Sequence, residues 1–169
     1  MGLWIGGVEG GRGSWNNIVG GSVPQARNLI SGNAAGVEIG SGDYAKVQGN
    51  YIGTNASGTG ALGQTNGSGV RAYYTSAHNH IGGTGAEEAN LIAFNAGYGV
   101  VIEGGYGANY NTITRNRIHS NTQKGIALLA GGNGGLAAPV ITTASRTQAS
   151  GTACANCTVE VFSDMADEG

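Results

Sequence analysis

Proline is almost missing from this sequence, with 2 residues in 169, and charged side chains make up 11% of it, against roughly 25% in an ordinary globular domain. No run of Lys or Arg occurs and the formal net charge is −2. The chain therefore lacks the positive footprint that holds nucleic acid or an anionic membrane surface, and neither is expected as a partner. No stretch approaches the roughly 18 apolar residues that span a bilayer, so no membrane insertion is expected. The opening Met-Gly-Leu-Trp-Ile-Gly-Gly has neither the basic region nor the apolar core of a signal peptide and reads as a strand and a turn. Met1 is therefore expected to open a piece of a longer chain.

Cysteine is confined to Cys154 and Cys157. A single Cys-x-x-Cys has no second pair to complete a zinc site, and no βαβ pattern surrounds it to make a redox site. It reads as a local disulfide or as two free thiols. Helical spacing of apolar residues is missing as well.

Glycine is abundant, at 34 residues. Low charge with much glycine can mark a disordered linker, but here the aliphatic residues recur in order. Three phrases cycle along the chain. The first is Gly-aliphatic-x-aliphatic, at Gly2 to Ile5, Gly36 to Ile39, Gly69 to Ala72, Gly99 to Ile102 and Gly125 to Leu128. The second centres on Asn17-Ile18-Val19-Gly20, Lys46-Val47-Gln48-Gly49, His80-Ile81-Gly82-Gly83 and Thr112-Ile113-Thr114-Arg115. The third is Asn-x-Ile-x-x-Asn, at Asn28 to Asn33, Asn50 to Asn55, Asn90 to Asn95 and Asn116 to Asn121.

Each phrase suffices for one short strand with one side inward. Copies of the first phrase beginning at 36, 69, 99 and 125 give cycles of 33, 30 and 26 residues, which fits three strands plus turns in one coil of a solenoid. A lone coil cannot bury its aliphatic side chains. Stacked coils about 4.8 Å apart align like with like and pair every strand above and below. Asparagine suits the corners, because it tolerates left-handed backbone angles and its amide can bond the equivalent amide one coil away. The expected architecture is all-β, a right-handed parallel β-helix with three short strands per coil and about four to five coils.

The expected boundaries are 1–135 for the β-helix and 136–169 for C-terminal strands. The latter begin with Val140-Ile141-Thr142-Thr143, lack Asn corners, and are expected to open a β-sandwich module that the sequence does not complete. Longer turns over 21–27, 56–68, 83–89 and 103–109 should protrude and offer the functional surface.

The phrases, with "GNYIGTNASGT" and "NHIGGT", resemble the right-handed parallel β-helix repeat proteins of the pectate-lyase-like superfamily, and especially long bacterial surface proteins carrying such repeats. The resemblance covers roughly Gly2 to Leu129. It implies an exported, carbohydrate-active protein, secreted or on the cell surface, that degrades polysaccharide as a glycoside hydrolase or polysaccharide lyase. The alternative is a noncatalytic surface or adhesive module binding glycans or proteins.

Alternation along the first phrase sends Trp4, Glu38, Arg71, Val101 and Ala127 outward in one row. Glu38 would serve as acid or base, Arg71 as the partner of a sugar carboxylate and Trp4 as a stacking platform; the plainer reading is a solvated ion pair. On the second phrase Asn17, Lys46, His80 and Thr112 should face outward, with Asp43 and His78 in adjacent turns. A lyase needs a base and a group that neutralises the uronate carboxylate, which makes Lys46, His80 and Arg71 candidates, although solvated surface residues would look the same.

Paired carboxylates for glycoside hydrolysis are scarce: Glu38 and Asp43 share a coil, Glu103 follows a later strand, and Glu87 and Glu88 sit in a loop. The candidate catalytic set is Glu38, Asp43, Lys46, Arg71 and His80. Trp4, Tyr51, Tyr73 and Tyr74 are the candidate substrate contacts, with Tyr98, Tyr106 and Tyr110 as further aromatics able to line a groove. No metal site or cofactor is expected, since the dense aspartate cluster of calcium-dependent pectate lyases is missing. Unpaired strand edges at the coil ends lead to the expectation of a homo-oligomer.

Overall fold

The computed structural model describes residues 2–7, 13–62, 66–145 and 147–161, and it is a parallel β-solenoid. The first coil carries β1 (Leu3–Gly6), β2 (Ser14–Trp15), β3 (Ile18–Gly20) and β4 (Leu29–Ile30). The second carries β5 (Val37–Gly40), β6 (Gly42–Asp43), β7 (Lys46–Gln48) and β8 (Tyr51–Ile52). The third is β9 (Val70–Tyr73), β10 (His80–Gly82) and β11 (Leu91–Ala93); the fourth is β12 (Val100–Glu103), β13 (Thr112–Thr114) and β14 (Arg117–His119). A fifth coil begins with β15 (Ile126–Leu129).

Strands stack rung on rung into three parallel sheets: β1-β5-β9-β12-β15, β3-β7-β10-β13 and β4-β8-β11-β14. Strands β2 and β6 form a short parallel pair at the corner after the first sheet. Among the described residues no helix is long and apolar enough to cross a membrane.

The inward rows make the core. Ile30, Ile52, Ile92 and Ile118 are in register on the third sheet, forming one column. Val37, Ile39, Val70, Ala72, Val100 and Ile102 fill the first sheet's inner face, and Val47 and Ile81 the second's, all without solvent exposure. The glycine that opens the first phrase has a steric cause: a Cβ at Gly99 would lie 2.5 Å from both the Gly125 carbonyl and the Cγ2 of Ile118. At that corner the inward isoleucine occupies the space a side chain would need.

Each corner holds an asparagine ladder. Between the second and third sheets the Nδ2 of Asn28 donates to Asn50, that of Asn50 to Asn90, and that of Asn90 to Asn116, at 2.9, 3.0 and 2.8 Å. After the third sheet Asn66 donates to Asn95 and Asn95 to Asn121, at 3.0 and 2.7 Å. After the first sheet Asn79 donates to Asn111, and Asn111 to Asn133, at 2.9 and 3.4 Å. The same amides cap backbone groups; Asn90, for example, also donates to the Val47 carbonyl and accepts from the Asn50 N–H.

Two details depart from the phrase alignment. Asn55 does not occupy the ladder position of the second coil. The chain leaves that coil at Thr54, and Asn66 returns to fill the rung, accepting from the Asn33 N–H and donating to the Ile30 carbonyl. Asn55 instead closes the protruding turn, its Oδ1 accepting from Ser57 and from the Thr59 N–H. On the second sheet Ile18, not Asn17, is in register with Lys46. Asn17 sits one residue earlier, donating to Ser14 and offering its carbonyl to the Lys46 N–H.

The chain divides into two compact units, Met1–Gly135 and Leu136–Gly169. The second contains the exposed antiparallel hairpin of β16 (Val140–Ala144) and β17 (Ala149–Thr152) and a disulfide between Cys154 and Cys157. That bridge removes the free-thiol alternative for the two cysteines.

Candidate carbohydrate-binding face

The outward positions of the first sheet run in register as Trp4, Glu38, Arg71, Val101 and Ala127. Two residues further along the same strands stand Gly6, Gly40, Tyr73, Glu103 and Leu129. Arg71 lies between two carboxylates. Its Nε and Nη2 donate to the two oxygens of Glu103 at 2.9 and 2.8 Å, and its Nη1 donates to Glu38 at 3.2 Å. The guanidinium also sits 4.3 Å above the Tyr73 ring centroid.

Both Glu103 oxygens are engaged in the planar fork that arginine makes with a carboxylate. Glu38 is nearly buried, at 7% exposure. The hydrogen bonds to Glu103 raise the Arg71 pKa above its ordinary value against the opposing effect of burial, with the bond to Glu38 adding to them. The result is a closed cluster, locked in its charged form, that shuttles no proton on the arginine side.

Two aromatic residues of this face, Trp4 and Tyr73, lie directly on glycines. Gly40 is where two rings meet: a Cβ there would be 3.0 Å from Nε1 of Trp4 and 3.0 Å from Cζ of Tyr73. A Cβ at Gly6 would press to 2.6 Å from Cζ2 of the same indole. Trp4 therefore lies along bare backbone, with 45% of its surface still open. Tyr73 continues to Tyr74 at 4.6 Å between centroids, and Tyr74 to Tyr106 at 5.8 Å. Tyr74 and Tyr106 remain exposed, Tyr106 at 74%. These rings extend from the first coil to the fourth, with Tyr73 and Tyr74 neighbours on the third and none on the second.

The other candidates lie apart from this face. Lys46 and His80 are in register on the second sheet, exposed neighbours one coil apart. The Asp43 carboxylate accepts the Ala77 N–H at 2.7 Å, fastening the following coil's turn. Tyr51 belongs to the third sheet, where the Arg27 guanidinium covers it at 4.2 Å and the turn at Gly58 folds against it. A depression of about 420 Å³ opens at the first coil between Leu3, Ile18, Leu29 and Ile30, away from the cluster around Arg71. Among the described residues no group of three or more His, Cys, Asp or Glu is placed to hold a metal ion.

The sequence reading missed the glycine floor under Trp4 and a second aromatic column. Tyr44, His78 and Tyr110 stack face to face at 5.0 Å with interplanar angles of 6° and 8°. All three have left-handed φ of 55–57°. A signal for it exists in the sequence, since His78 and Tyr110 each directly precede a ladder asparagine, Asn79 and Asn111.

No match to a curated protein or to a solved structure reaches significance. The family model described as the right-handed β-helix region matches residues 16–137, most of the chain. With its stacked parallel coils, its aliphatic columns and its corner ladders, this chain belongs to the right-handed β-helix family.

Proposed function

We propose that the chain is a carbohydrate-binding β-helix of an exported protein, holding polysaccharide on its first sheet without cleaving it. The observation that carries this reading is the aromatic strip: Trp4, Tyr74 and Tyr106 are open to solvent on the first, third and fourth coils, half-buried Tyr73 lies between them, and Trp4 and Tyr73 are seated on glycine backbone. Exposed planar rings are the side chains that cover the C–H faces of sugars, and glycines bring them close to the sheet. The five ionisable candidates for catalysis are divided between separate faces, and the best-organised of them, Arg71, is occupied by two carboxylates. The Cys154–Cys157 disulfide supports an oxidising compartment outside the cytosol.

Affinity electrophoresis through gels containing soluble polysaccharides tests this. Wild-type chain should be retarded, and Trp4→Ala and Tyr106→Ala should each weaken binding about tenfold, the loss expected when one stacking platform is removed. Trp15→Ala, at an exposed tryptophan outside the strip, should bind as wild type. Equal retardation of all variants would refute the assignment of the face.

A second reading has one observation in its favour. Glu38 and Glu103 both bond Arg71, and two carboxyl groups on one face are what glycoside hydrolysis requires. Release of reducing ends by wild type, abolished in Glu103→Gln, would establish it; undiminished release in that variant would remove it.

A further inference from the structure

We infer that the polymer held at this face is uncharged and β-linked, lying along the helix axis, and that the carboxylate clamp on Arg71 excludes acidic polysaccharides. This inference rests on the binding reading above and names the substrate class of the same site.

Across the five first-sheet strands Arg71 is the sole cationic residue, and Glu38 and Glu103 are the two anionic ones, so the row carries a net charge of −1. A guanidinium offers five N–H donors, and three of Arg71's are given to these carboxylates. To bind a uronate, Arg71 would have to surrender part of a bidentate pair and expose Glu38, which is nearly buried, to an unpaired state. Each further uronate in the chain would meet the same negative field. A neutral sugar meets no such obstacle: its hydroxyls donate to lone pairs that the carboxylates retain, and its C–H face lies on the rings.

The geometry supplies the linkage. Trp4 stands on the first coil, Tyr73 and Tyr74 on the third and Tyr106 after the fourth-coil strand β12. Three coil steps of about 4.8 Å give a strip about 14 Å long, and one step is close to the length of a single pyranose in an extended β-linked chain. A straight polymer can therefore rest on Trp4, pass over the glycine of the second coil and meet Tyr74 and Tyr106 further along the same line. A coiled α-linked chain would leave the strip after one contact. The third sheet offers no comparable run, because the turn around Gly58 packs on Tyr51 and Leu91 there.

The test uses the 169-residue chain and a panel of defined polymers: β-glucan, xylan and glucomannan as neutral chains, amylose as the α-linked control, and polygalacturonate and alginate as acidic chains. We expect binding to at least one neutral β-linked polymer at least tenfold tighter than to either acidic polymer. That binding should change less than about twofold between about 0.01 M and about 0.15 M salt, a range over which the screening length falls from about 30 to about 8 Å. Glu103→Gln frees the Arg71 fork and should raise affinity for polygalacturonate several-fold. Tighter binding to an acidic polymer or to amylose, with Trp4→Ala still defective, would overturn the inference and leave the binding reading standing. Unaltered exclusion of polygalacturonate by Glu103→Gln would also overturn it. Retention of no polymer at all would remove both.

Discussion

Replacing Asn66 with alanine should cost far more than replacing Asn55, although the two asparagines compete for the same place in the repeat pattern. Asn66 is fully buried. Its side chain donates to the Ile30 carbonyl at 2.8 Å and to Asn95 at 3.0 Å, and accepts from the Asn33 N–H at 3.1 Å. Truncation leaves three groups without those partners in a corner of the core. At about 1 kcal/mol or slightly more for each, the loss is about 3–4 kcal/mol, a large share of the roughly 5–15 kcal/mol that holds a domain together. The Asn55 side chain accepts from Ser57 and the Thr59 N–H within an exposed turn, so its loss should cost under about 1 kcal/mol. Urea unfolding followed by circular dichroism near 218 nm, with slopes compared to confirm an unchanged transition, measures both. Equal destabilisation by the two variants, or a larger effect from Asn55→Ala, would refute the assignment of the rung.

Further outcomes follow from the same geometry. Ile92→Ala empties a fully buried position in the middle of its column and should cost about 2–5 kcal/mol in the same urea assay; a loss under about 1 kcal/mol would contradict the packing. Gly99→Ala should destabilise by about 1–3 kcal/mol, because the new Cβ meets the Gly125 carbonyl and Ile118 at 2.5 Å; a neutral effect would contradict the corner geometry. Arg71→Met strands Glu38 and should destabilise by about 1–3 kcal/mol, less than a fully buried pair because the arginine is partly exposed. Since the folded-state pKa of Arg71 is raised above its already high ordinary value, its contribution is fully present below that ordinary value and is lost only as pH rises past it. The arginine's own ionisation therefore contributes no pH dependence to the deficit of Arg71→Met between about pH 6 and about pH 10; a deficit that disappears toward the alkaline end of that window would show that the guanidinium is losing its charge there.

The coil repeat was legible because a solenoid imposes its period on every rung. Ile30, Ile52, Ile92 and Ile118 each had to be aliphatic to fill the same column, so the phrase around them recurs. The ladder rung at Asn66 was hidden for the opposite reason. A protruding turn separates it from its own strand, and Asn55 supplies a decoy at the regular spacing. Trp4, Glu38 and Arg71 could be placed in one outward row from alternation alone. What alternation cannot provide is reach: Glu103 stands two residues beyond the row, yet its carboxylate takes the stronger grip on Arg71. The glycines under Trp4 are common residues in this chain, and their role as a floor depends on which way the indole turns. The Tyr44, His78, Tyr110 column was hidden similarly, because the turns that carry it differ in length from coil to coil.

In the proposed binding mode, Trp4 is the surface on which a sugar ring comes to rest. The chain has 2 tryptophans, so Trp15→Phe leaves Trp4 as the sole indole reporter. Titration of that variant with a β-linked gluco-oligosaccharide should give a saturable blue shift of the emission as the exposed ring is covered. Emission that stays constant through concentrations at which the polymer is demonstrably bound would contradict it.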